Sequence, residues 1–250
     1  NSTSGSSSTT RFDSTSPTSS VFTLNDSGLG TNLVAYAFHS VAGYSKVGSY
    51  TGNGTTQVIN TGFKPAWILI KTTVGTDNWR LYDTTRGITA GGYLEPNKTD
   101  TEDTSNAPNF IILSNGFEIT AGGTTVGNNA NGNLYTYYAF ASDPSTAPVL
   151  AGSFNTTLYT GNGGTKSITG VGFSPSFVWL KDRSSAYSNV LVDVVKGRAQ
   201  SLLSDSSSAA LTSNAGNDFV SFDTDGFTVG PLQQVYTNVN GDNFVSWNWK

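Results

Sequence analysis

The chain has 250 residues, only 12% of them charged, with a formal net charge of −4, 28 glycines and neither cysteine nor methionine. Without cysteine it has no disulfide framework, thiolate metal site or thiol nucleophile, and 13 scattered Lys and Arg residues give no basic stripe for a nucleic-acid backbone. The longest apolar run, at residues 66–70, falls far short of the roughly 20 residues of a membrane-spanning helix, so neither nucleic acid nor membrane insertion is expected.

In chain order, residues 1–41 read as the closing strands of a partial repeat. Phe22 matches Phe117 and Phe227, and the run from Asn32 to Phe38 matches Asn133 to Ala139 in pattern. The chain also lacks an initial Met, which marks it as processed or as a piece of something longer.

A first full repeat is expected over 42–147 and a second over 148–250. Tyr-Thr-Gly-Asn-Gly begins at Tyr50 and again at Tyr159, an offset of 109 residues. Gly62-Phe63-Lys64-Pro65 is answered by Gly172-Phe173-Ser174-Pro175, and from there the offset is 110: Lys71 with Lys181, Asp83 with Asp193, Gly116-Phe117 with Gly226-Phe227, Asn133 with Asn243.

Each repeat reads as strands. Residues 67–71 and 177–181 are short apolar runs behind a proline, without polar alternation, which predicts strands buried on both faces. The closing strand alternates: Val245, Trp247 and Trp249 face one way and Ser246 and Asn248 the other. Tyr135 and Tyr137 are placed on the matching apolar side of the first repeat, and Val34, Tyr36 and Phe38 on that of the fragment. Ser114-Asn115-Gly116 and Thr224-Asp225-Gly226 are hairpin signals. The best helical candidate is a turn or two over Gly197 to Leu203. The fold class that follows is all-β: two tandem antiparallel β-sandwich domains, jelly-roll or concanavalin-like, plus the N-terminal strands of a partial third copy.

The order and spacing of several motifs resemble a domain family of marine bacteriophage virion proteins. They are Val41-Ala42-Gly43-Tyr44-Ser45-Lys46 with Gly48 to Gly54, Thr61 to Pro65, Trp79 with Tyr82 to Gly87, Leu113 to Phe117, Asp193 to Gly197, Ser221 to Phe227 and the closing Val245 to Lys250. The resemblance covers nearly the whole chain. It implies a virion-surface role, in a fibre, tail appendage or decoration component that aids host adsorption, and brings no catalytic residues with it.

The carboxylates do not form a recognisable catalytic pair. Asp83 and Asp193 occupy equivalent places in different repeats, which predicts structural pairing with Arg86 and Lys196. Asp223 and Asp225 flank a turn, where Asp caps its own backbone. His39 is the single histidine and has no triad motif around it. No enzyme activity, cofactor or metal is assigned, although loop carbonyls can bind calcium without leaving a motif. The Gly-rich runs at 51–54 and 160–164 lack the lysine of a phosphate loop and read as turns.

Aromatic residues in loops are the binding candidates, because Trp and Tyr rings stack on the apolar faces of sugars: Trp79, Tyr82, Tyr93, Tyr187 and Tyr236, against the plainer reading of loop packing. Trp67, Trp179, Trp247 and Trp249 are assigned to cores. The expected partners are further copies of the chain and other virion proteins, with host surface glycan as an additional ligand. The alternative function is a secreted, lectin-like carbohydrate-binding module. The fragment's apolar strands are expected to pair with the first full repeat or with a neighbouring chain.

Overall fold

The computed structural model describes residues 16–24, 33–87, 92–104, 110–120, 127–141, 152–213, 218–231 and 235–250. Among them there is no helix, and every strand pairing is antiparallel. The first repeat contains β1 (Ser45–Thr51), β2 (Gln57–Asn60), β3 (Trp67–Thr72), β4 (Arg80–Asp83), β5 (Phe110–Leu113), β6 (Gly116–Ile119) and β7 (Leu134–Phe140). One sheet runs β1-β7-β3-β4 and the other β2-β6-β5.

The second repeat contains β8 (Phe154–Thr160), β9 (Lys166–Ile168), β10 (Phe177–Asp182), β11 (Val190–Asp193), β12 (Gln200–Leu203), β13 (Leu211–Thr212), β14 (Phe219–Asp223), β15 (Gly226–Val229) and β16 (Asn243–Trp249). Its sheets run β8-β16-β10-β11-β12-β13 and β9-β15-β14. Gln200 to Leu203, the expected helical turn, is therefore a strand. Val190 pairs with Leu203 and Gln200 with Thr212, and these ladders override a short stretch of weak helical pattern.

In each repeat two sheets close on an aromatic core, the arrangement of a β-sandwich. Tyr82 stacks on Phe110 across the sheets at 4.6 Å, and Phe117 meets Tyr137 edge-on at 5.5 Å. Tyr50 and Phe117 meet across the sheets at 6.4 Å, and their counterparts Tyr159 and Phe227 at 6.3 Å.

The apolar runs at 67–71 and 177–181 are buried on both sides because there are two things to bury against. Ile68 and Ile70 face the core of the first repeat, and Val178 and Leu180 that of the second. Trp67 and Leu69, with Phe177 and Trp179, face outward into a third cluster that belongs to both repeats.

The repeated Thr-Gly-Asn-Gly motif forms turns clamped by an asparagine. Asn129 Oδ1 accepts the Asn53 N–H at 2.9 Å, and Asn238 Oδ1 accepts the Asn162 N–H at 2.9 Å. The backbones approach so closely that a Cβ on Gly52 would lie 2.2 Å from the Ala130 carbonyl oxygen, and one on Gly161 2.0 Å from that of Val239. Only glycine fits there.

The closing strands correct the repeat register. Tyr50 lies opposite Tyr135 and Tyr159 opposite Phe244, so the offset here is 109 and Asn133 corresponds to Asp242, not Asn243. A shift of one residue exchanges the two faces of a strand. Val245, Trp247 and Trp249 do share one face, but their counterparts are Thr136, Tyr138 and Phe140. Tyr135 and Tyr137 point into their own core, as Phe244 does. Ser246 and Asn248 face away from the tryptophans as expected, yet both are buried.

Candidate functional site

The most elaborate polar and aromatic arrangement lies between the repeats. At the end of β4, Asp83 accepts the Arg86 backbone N–H at 3.0 Å and pairs with its guanidinium at 2.5 Å. The same turn in the second repeat places the Lys196 N–H 2.8 Å from Asp193, whose carboxylate forms a short ion pair with the Lys196 ammonium. These are the two Asp–cation pairs expected from sequence.

Each pair also receives an aromatic residue from elsewhere in the chain. The Trp247 indole N–H donates to Asp83 Oδ2 at 3.0 Å, and the Arg86 guanidinium lies over the indole at 5.8 Å. The Tyr36 hydroxyl donates to Asp193 Oδ2 at 2.7 Å and accepts from Lys196 at 2.9 Å, and the ammonium lies 5.5 Å over the Tyr36 ring. Burial pushes the Tyr36 hydroxyl up to about 12 and the Lys196 ammonium down to about 8. At neutral pH the phenol remains a donor and the ammonium remains charged.

Further bonds join the repeats. Glu102 is held by Arg86 at 2.7 Å and by Arg183 at 2.7 Å. The Lys181 ammonium reaches the Thr99 carbonyl at 2.8 Å, the Asn189 amide the Lys98 carbonyl at 2.7 Å, and the Ser204 hydroxyl the Pro96 carbonyl. Buried Lys181 is lowered to about 8 by desolvation, and its two carbonyl acceptors, Thr99 and Tyr187, satisfy it. This network makes the joint specific in register and orientation, which apolar contact alone does not.

Beside the joint lies an apolar hollow of roughly 240 Å³, with Tyr36, Phe38, Trp67, Trp79, Tyr138 and Trp179 among its walls. Of the tryptophans assigned to cores, Trp67 and Trp249 are buried here, between the repeats, and Trp179 is half-buried against them. Their indole N–H groups have no hydrogen-bond partner among the described residues.

The sequence-predicted aromatics separate into three groups. Trp79 is part of this joint, with its backbone N–H held by Asn97 at 3.0 Å. Tyr82 and Tyr93 lie in the core of the first repeat. The Tyr82 hydroxyl accepts from the Asn128 amide, and that of Tyr93 donates to Asp103 at 2.7 Å. Tyr187 and Tyr236 meet face to face at 4.0 Å, and Tyr236 is 42% exposed. That pair is the one predicted combination the fold brings together at the surface.

Asp225 caps a different segment from the one expected. It accepts the Gly170 and Gly172 N–H groups at 3.0 and 2.6 Å, which holds its carboxyl below the usual range. His39 lies exposed near the end of the fragment, its carbonyl accepting from the Ser45 hydroxyl at 2.8 Å. Among the described residues no group of three or more His, Cys, Asp or Glu side chains is placed to hold a metal ion.

Among its described residues the fragment adds no strand to the first repeat. Residues 33–40 contain no strand, and Tyr36 and Phe38 attach by their side chains, Tyr36 stacking on Phe177 of the second repeat at 4.5 Å. Sequence reasoning missed the aromatic half of each corner. The signal was present: Tyr36-Ala37-Phe38-His39-Ser40 matches Tyr138-Ala139-Phe140-Ala141-Ser142 with no gap, one residue out of the register read from Asn32 and Asn133.

Fold and site together define an all-β, tandemly repeated protein whose repeats are locked by an Asp–cation corner that receives an aromatic residue. The chain belongs to a family described as a domain of unknown function (DUF7483), whose profile matches residues 1–144 and 151–250. No curated protein and no solved structure matches the chain.

Proposed function

We propose that this chain is a structural surface module, built to hold repeats in fixed relation and to display loops, as in a phage fibre, tail appendage or virion decoration. The observation that carries this reading is the use made of the repeated residues. Asp83 with Arg86, and Asp193 with Lys196, are each occupied by an aromatic residue from another part of the chain. Residues that could have served chemistry are used to join repeats. The motif resemblance to phage virion domains supports a particle surface as the setting, with self-association and other virion proteins as partners.

Immunogold electron microscopy with antibody to residues 43–250 tests the setting. Label on tails, fibres or capsids is the expected result. Label on cell surfaces, or only in the soluble fraction, removes the virion reading.

A second reading, carbohydrate binding, is favoured by the Tyr187–Tyr236 pair. Two rings stacked face to face, with Tyr236 42% exposed, present an aromatic surface on which a sugar face can stack. Weak sites of this kind gain from repetition over an assembly. Binding of the chain to host cell-wall glycan, lost in Tyr236→Ala, would support it; equal binding by both proteins would remove it.

A further inference from the structure

Three residues at equivalent sequence positions, Phe38 of the fragment, Phe140 of β7 and Trp249 of β16, meet at one point. Phe38, Phe140 and Trp249 have ring-centroid separations of 5.4, 5.9 and 5.9 Å. Nearly equal separations among three equivalent side chains are what a pseudo-three-fold axis through this point requires. The polar contacts run head to tail around it. Tyr36 of the fragment fills the corner of the second repeat, and Trp247 of the second repeat fills the corner of the first. Tyr138, the equivalent residue of the first repeat, has no corner to fill. It is half-buried beside the hollow, and its hydroxyl makes no hydrogen bond among the described residues.

The fragment shows the same deficit from the other side. Phe22 and Leu24 correspond to Phe117 and Ile119, and to Phe227 and Val229, all four of which are fully buried. Phe22 is 43% exposed and Leu24 41%. Among the described residues they have no core to enter. A head-to-tail contact that has already turned through two places leaves a third place open, and it generates a ring where the rotation closes.

We infer that the third place around this axis binds a repeat body of the same fold that lacks its last two strands. That body contributes an Asp-x-x-Arg or Asp-x-x-Lys corner to receive the Tyr138 hydroxyl. In return it takes the described segments 16–24 and 33–40 as closing strands, covering Phe22 and Leu24. The partner is thus recognised by strand complementation and by one charged corner, both of the kind already present at the other two places.

The test adds such a body to the intact chain, as a second copy of residues 42–113 placed ahead of Asn1. The added segment is expected to become resistant to proteolysis. Tyr138→Phe is expected to lower the Tm of the extended protein by about 2–4 °C, and that of the 250-residue chain by less than about 1 °C. Digestion of the added segment back to the 250-residue chain would overturn the inference. So would an equal effect of Tyr138→Phe in both proteins, or a dimer of the 250-residue chain that Tyr138→Phe dissociates, because a second copy then fills the place. Should the extended protein aggregate, Phe22→Asp in the 250-residue chain decides. An unchanged Tm supports an unfilled place, and a loss as large as that of Phe117→Asp shows that the fragment already has its core.

Discussion

The Trp247 indole N–H donates to the Asp83 carboxylate at 3.0 Å across 164 residues of sequence, and both side chains are almost wholly buried. A hydrogen bond to a buried carboxylate is worth about 1.5–3 kcal/mol, more than a surface ion pair of roughly 0–1 kcal/mol. The contact also fixes which face of β16 meets which end of β4. Apolar packing around Trp67 and Trp249 supplies area, and this bond supplies register.

Trp247→Phe keeps most of the ring and removes the donor. It is expected to destabilise the chain by about 2–4 kcal/mol, combining the lost bond with the space left by the smaller ring. Thermal unfolding measures this. Tyr36→Phe should cost less, because the ring of Tyr36 is only half-buried and Lys196 still pairs with Asp193.

Gly52→Ala and Gly161→Ala place a Cβ about 2 Å from a backbone carbonyl oxygen in each clamped turn. Backbone cannot step aside as a flexible side chain can, so each change is expected to cost at least about 1–3 kcal/mol. Denaturant titration of the two variants checks this. Gly164→Ala, whose Cβ would lie 3.8 Å from its nearest neighbour, serves as the control and should be close to neutral.

Asp182 gives the second repeat a pH dependence. Burial, with Asp242 adding to it, pushes its carboxyl up to about 6. In the unfolded chain a carboxyl of this type titrates near pH 4, by its ordinary value of roughly 3.9. The folded form therefore holds the proton more tightly. The stabilisation is complete below about pH 4 and is lost as pH rises through 6. Asp182→Asn keeps the oxygen that accepts from Ser184 and Ser185 at 2.8 and 2.9 Å and cannot ionise. The Tm difference between variant and parent is expected to grow in favour of the variant from pH 4 to pH 7. A difference independent of pH would contradict this account.

Tyr236→Ala removes one half of an exposed stacked pair. The expected cost in stability is about 0.5–1.5 kcal/mol, small beside that of Trp247→Phe. Comparing the two variants by thermal unfolding separates a displayed aromatic from one that joins repeats.

The β-rich architecture and the repeat were legible because glycine, proline and Asn-Gly or Asp-Gly punctuation constrains the backbone locally. The apolar runs at β3 and β10 also showed burial on both faces. What covers the outer face was not legible, since a run such as Trp67 to Ile70 looks the same whether a helix, a sheet or another repeat lies above it. The Asp83–Arg86 and Asp193–Lys196 pairs could be read from their three-residue spacing. Their aromatic partners could not be read from Asn32 and Asn133, because that register set Tyr36 against Tyr137 and so on the wrong face. Tyr82 and Tyr93 lie between turn signals and read as loop residues, but β4 and the bridge from Tyr93 to Asp103 carry them inward.

Differential scanning calorimetry of the full chain tests most directly the claim that the corners lock the repeats into one structural unit. A single transition whose calorimetric and van't Hoff enthalpies agree is predicted, with Trp247→Ala separating it into two. Two independent transitions in the parent chain, unaffected by Trp247→Ala, would show that the repeats fold and stand apart and that the joint does not have the role assigned to it.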